Sequence, residues 1–70
     1  MEIKSPMGGN MWKIEVKEGD RVEVGQVVAI LESMKMEIPV ETEKAGTVSS
    51  ITASEGDFIQ EDDTVMEIEE

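Results

Sequence analysis

Trp12, Ile14 and Val16 alternate with Lys13, Glu15 and Lys17, the period of two expected of a strand with one buried face. Val27-Val28-Ala29-Ile30-Leu31 is instead continuously apolar and rich in β-branched residues. A run that short between turn signals predicts a strand buried on both faces rather than a helix. Glu18-Gly19-Asp20 and Glu55-Gly56-Asp57 read as turns, because glycine supplies a positive φ and aspartate bonds its own backbone. Gly8-Gly9, Gly25 and Ala45-Gly46 punctuate the chain further. No segment carries the three-four spacing of an amphipathic helix, so the pattern predicts an all-β fold.

The strands come in two similar sets. A shift of 37 residues lays Met1–Glu32 on Ile38–Glu69 without a gap, with identities at Gly9/Gly46, Ile14/Ile51, Glu18/Glu55, Gly19/Gly56, Asp20/Asp57, Val28/Val65 and Glu32/Glu69. Apolar character also matches at Ile3/Val40, Met11/Val48, Val22/Ile59 and Leu31/Ile68. Each half alone leaves an apolar face uncovered, and pairing the halves about a pseudo-twofold axis buries both. The expected architecture is a single domain over residues 1–70, a flattened β-barrel or sandwich. The leftover residues, Ser33 to Glu37, must then form a tight hairpin with Lys35 at its exposed tip.

That junction reads Glu32-Ser33-Met34-Lys35-Met36-Glu37. Hairpin tips favour Asn, Gly or Asp, so Met-Lys-Met is a poor turn by propensity. A local rule broken inside an otherwise consistent design marks a candidate functional position. Adaptable thioether side chains on either side of a lysine suit a surface that several partners grip. On these residues alone, an ordinary solvated lysine with its methionines folded into the end of the barrel stands equally open.

Composition narrows the chemistry. The chain has 70 residues, no Cys and no His, so neither a disulfide nor the usual nucleophile and base pairs are available. A chain of this size buries only about 60% of its unfolded surface and can hardly enclose a catalytic pocket, which argues against an intrinsic enzyme. The net charge of −11 opposes binding to nucleic acid or to anionic membranes. The longest apolar run, Val27 to Leu31, is far too short to span a bilayer, and no signal-peptide pattern is present; the expected location is cytoplasmic. Glu61-Asp62-Asp63 lacks calcium-loop spacing and reads as a solvated turn. A free-standing protein and a domain of a longer chain are equally compatible with a start at Met1.

Taken together, Met34-Lys35-Met36, Ser5-Pro6-Met7 with Gly9, Gly46-Thr47-Val48 and Glu55-Gly56-Asp57 resemble the biotinyl domain of biotin-dependent carboxylases, over essentially the whole chain. The likeness is strongest to the stand-alone biotin carrier proteins of bacteria. The resemblance implies two four-stranded sheets with both termini opposite the lysine. It further implies biotin attached covalently to Lys35 by a biotin-protein ligase. The tethered biotin would move a carboxyl group from a biotin carboxylase to a carboxyltransferase. Met34 and Met36 would serve recognition, with Glu32, Ser33 and Glu37 as hairpin context. The chain departs from the family pattern at Ser33, where Ala is usual, and at Gly8-Gly9 in place of Pro-Gly. Val16 to Val22 leaves no room for the protruding loop of some relatives. The rival readings are a lipoyl carrier modified on the same Lys35, a helical phosphopantetheine carrier, and an unmodified structural barrel.

Overall fold

The computed structural model describes residues 1–70. Eight strands follow one another: β1 (Glu2–Lys4), β2 (Gly9–Ile14), β3 (Arg21–Val22), β4 (Val27–Ser33), β5 (Met36–Glu41), β6 (Gly46–Ile51), β7 (Phe58–Ile59) and β8 (Thr64–Glu69). There is no helix. They form two four-stranded antiparallel sheets of order β1-β8-β6-β3 and β5-β4-β2-β7. Exchanging β1 with β5, β2 with β6, β3 with β7 and β4 with β8 converts one order into the other. Each sheet therefore contains strands of both halves, and neither half makes a sheet of its own.

The repeat extends to local irregularities. The β2/β4 ladder slips between Met11 and Lys13, and the β6/β8 ladder slips between Val48 and Ser50, so Trp12 and Ser49 occupy equivalent bulges. The Asp20 carboxylate accepts from Lys17 N at 2.9 Å, and Asp57 repeats this with Ser54 N at 3.0 Å. Ser5 Oγ donates to Met7 O, and Thr42 Oγ1 donates to Lys44 O at 2.6 Å.

The core is built the same way. All 18 buried residues fall into pairs 37 positions apart. The apolar pairs are Ile3/Val40, Met11/Val48, Val16/Ala53, Val22/Ile59, Val28/Val65, Ala29/Met66 and Leu31/Ile68. Ser5/Thr42 and Gly9/Gly46 complete the set. Burying each large aliphatic side chain contributes roughly 1.5–3 kcal/mol, and with no disulfide this packing is what holds the two sheets together.

Of the two forms expected, flattened barrel or sandwich, the sheets take the sandwich, because the edge strands β3 and β7 are only two residues long and each pairs with one neighbour. Two details differ from the sequence-based expectation. The regular alternation through Trp12 fails: Met11 is buried and Trp12 is 41% exposed, since the bulge resets the inward phase before Ile14 and Val16. Gly9 and Gly46 open strands instead of turns. A Cβ on Gly9 would sit 2.8 Å from Glu32 O, and one on Gly46 would sit 2.4 Å from Glu69 O, so close passage of neighbouring backbone demands glycine at both.

The β4–β5 hairpin and the chain termini are the two symmetry-related ends of the sheets. Met1 N donates to Ile68 O at 2.7 Å, and Glu41, at the far end of β5, lines a groove with Met1 and Glu2. At roughly 3.3 Å per residue, β5 places that groove about 17 Å from the hairpin tip. Both termini thus lie opposite Lys35.

Candidate functional site

Ser33 pairs directly with Met36, leaving only Met34 and Lys35 in the loop. The hairpin is tighter than the whole Ser33–Glu37 stretch, because Ser33 already belongs to β4 and Met36 and Glu37 to β5. Met34 has φ 50° and Lys35 has φ 67°. Positive φ at both central residues is what a type I′ two-residue hairpin requires, and its twist matches that of the flanking strands. Asn-Gly meets that demand without strain, whereas Met and Lys each carry a cost of order 1–3 kcal/mol. Tertiary structure imposes the turn on residues that do not favour it.

Strain is matched by exposure. Met34 is 92% exposed and Met36 is 65% exposed, so neither methionine folds into the end of the sandwich. Lys35 is exposed and takes part in neither of the chain's two ion pairs, Arg21–Glu23 and Lys44–Glu70. No side-chain hydrogen bond holds its amine. A free primary amine on a tight, exposed two-residue turn is able to form one amide bond with a partner's activated carboxyl group and then to hold the product clear of the protein surface.

Below the tip runs one row of paired residues across the sheet: Glu37 on β5, Glu32 on β4, Asn10 on β2 and Phe58 on β7. All four are exposed. Ser33 is half-buried and faces Gly9, whose hydrogen-only side lets the β4 backbone pass. Glu32, Ser33, Met34 and Lys35 share an open groove with Gly8, Gly9, Asn10 and Phe58. The structure therefore brings Glu32, Ser33, Met34 and Lys35 together, and leaves Met36 and Glu37 outside that groove on β5.

Asn10 and Phe58 were not among the residues singled out by sequence. Their signal lay in the repeat: Phe58 is aligned with Arg21, an exchange too radical for two positions with the same structural task.

Residues 1–68 match the family model described as "Biotin-requiring enzyme". The chain belongs to this family. It is similar to proteins of very different length. It is 50% identical over 68 residues to the Biotin/lipoyl attachment protein of Bacillus subtilis (strain 168), covering 97% of this chain and 93% of that one. It is 39% identical over 67 residues to the mitochondrial propionyl-CoA carboxylase alpha chain of Homo sapiens, of which it spans only 9%. The crystal structure of the Kluyveromyces lactis urea carboxylase superposes with a TM-score of 0.91 at 37% identity, covering 97% of this chain and 6% of that one. The family's domain thus occurs both nearly alone and as a small part of large carboxylases, and this chain shares its fold with that part of the urea carboxylase.

Proposed function

We propose that this protein is a biotin carrier in which Lys35 is the single point of covalent attachment. The observation that carries the reading is the free, exposed Lys35 amine on a strained type I′ turn between two exposed methionines, in a member of the biotin-requiring enzyme family. The residues fit the group: an amide tether needs one unencumbered amine and no enclosing cavity, and Lys35 supplies that amine. A biotin-protein ligase must present an activated acyl carbon to the neutral, nucleophilic form of the nitrogen. Lys35 Nζ attacks that carbon, the leaving group departs, a proton is released, and the cation is replaced by a neutral amide. The formal charge of the chain moves from −11 to −12.

Biotin supplies the carboxyl-carrying chemistry once attached. The protein supplies reach and position. The sandwich fixes the base of the hairpin, while the lysine stem lets the tethered group visit a biotin carboxylase and a carboxyltransferase at high effective concentration without release. The domain itself is not catalytic in this scheme, and the cytoplasm is the compartment we propose for it.

A second reading has a specific basis, since the Bacillus relative is called a biotin/lipoyl attachment protein. Lipoate would use the same Lys35 and the same amide chemistry. Parallel incubations with biotin and a biotin ligase, and with lipoate and a lipoate ligase, followed by intact mass, separate the two. Biotinylation in the first with little gain in the second supports the biotin carrier; gain only in the second replaces it with a lipoyl carrier.

A further inference from the structure

Outside the Ser33–Glu37 junction, the pseudo-twofold symmetry gives surface positions at the lysine end structural equivalents at the terminal end. These equivalents act as internal controls, because they show which residue the same backbone accepts away from the hairpin that carries Lys35. The row Glu32–Asn10–Phe58 has the equivalent Glu69–Thr47–Arg21, paired in the same order. Phe58 is 66% exposed, and its counterpart Arg21 is a solvated residue that pairs with Glu23 at 3.3 Å. Met7, next to the groove-lining Gly8, is 40% exposed, and its counterpart Lys44 pairs with Glu70 at 3.4 Å. At both places the fold carries a charged residue at one end and an exposed apolar one at the other. Folding does not require Phe58 or Met7 to be apolar, and each leaves apolar surface in water at the end that bears Lys35.

The same row carries a second anomaly. Glu32 and Glu37 are direct cross-strand partners, a like-charge pairing that weakens a ladder. Neither belongs to an ion pair within the chain. An apolar contact at Phe58 and an uncompensated pair of carboxylates therefore flank the lysine across one sheet face. That combination complements a protein surface with an apolar pocket and a basic rim, the arrangement in which aromatic anchors dominate binding and charge steers encounter.

We infer that Phe58, supported by Met7, is the docking anchor for the enzyme that acylates Lys35, and that Glu32 and Glu37 meet basic residues on that enzyme. The inference rests on the reading of Lys35 as the attachment point. Phe58 and Lys35 line one groove, so a protein that encloses the lysine amine from that side also covers the phenyl ring. Phe58 acts in binding, not in bond formation; it is a positioning residue.

The test is steady-state biotin incorporation by a biotin-protein ligase, varying the concentration of the whole chain. Phe58→Arg installs the residue already found at the equivalent site, and Phe58→Gln removes the ring without adding charge. Circular dichroism checks that both keep the β fold. Both variants are expected to raise KM for the chain about tenfold with kcat within twofold, as loss of an aromatic anchor does. Arg21→Phe, at the terminal end, is expected to leave both parameters unchanged. Added salt is expected to raise KM for the wild type, and to do so less for Glu32→Gln combined with Glu37→Gln. Unchanged KM in both Phe58 variants, beside efficient labelling of the wild type, overturns the docking anchor and leaves the Lys35 reading intact. Absence of labelling in the wild type overturns both.

Discussion

Replacing Lys35 by glycine separates what the turn demands from what the chemistry demands. Lys35 sits at φ 67°, where a β-carbon costs roughly 1–2 kcal/mol and glycine costs almost nothing. Lys35→Ala keeps that β-carbon and Lys35→Gly removes it, so the pair isolates the backbone effect with the amine absent from both. The gain is partly offset by the extra freedom of glycine in the unfolded chain, worth about 0.4–1 kcal/mol. About 1 kcal/mol of added stability remains for the glycine variant, which in a domain of this size raises Tm by roughly 4–8 °C. Thermal unfolding followed by far-ultraviolet circular dichroism reads the difference. Neither variant can accept biotin, so the expected outcome is a more stable protein that has lost its function. Equal Tm values, or a less stable glycine variant, would refute the claim that this turn is held under strain.

Other perturbations test the frame. Gly46→Ala should destabilise by about 1–3 kcal/mol in urea unfolding, because its Cβ would press on Glu69 O at 2.4 Å and Ile68 Cγ2 at 2.6 Å; Gly9→Ala should cost less, with its nearest approach at 2.8 Å. Asp62 holds φ 70° at the position where the first half uses Gly25 at φ 84°, so Asp62→Gly should stabilise by up to about 1 kcal/mol in the same assay. Leu31→Ala empties a fully buried site between the sheets and should cost about 2–5 kcal/mol, enough to unfold most of the population of so small a domain. Biotin incorporation into Gly46→Ala should follow its folded fraction rather than fall independently, since Gly46 lies at the terminal end of the molecule.

The repeat was legible because it is written in spacing: a gap-free shift aligned the turns and much of the core, and its midpoint located Lys35. The pairs Val16/Ala53 and Ala29/Met66 are hard to see because their side chains differ in size, and Ser5/Thr42 because small hydroxyl residues read as surface until a shared backbone position shows both buried. Bulges are invisible to periodicity, so the alternation puts Trp12 on the buried face that Met11 in fact occupies. The extent of the hairpin was also out of reach, because Met-Lys carries none of the signals of a type I′ turn. Phe58 was hidden for a different reason: an apolar residue at the start of a strand looks like core until exposure shows that it faces water.

The central claim is that one lysine, and only that one, takes the cofactor. Intact mass of the chain co-expressed with a biotin-protein ligase and supplied with biotin, beside Lys35→Ala, tests it most directly. The account predicts a single biotinyl increment in the wild type and none in the variant, although Lys4, Lys13, Lys17 and Lys44 remain available in both. An increment that survives in Lys35→Ala, or a wild-type chain that stays unlabelled while correctly folded, would contradict it.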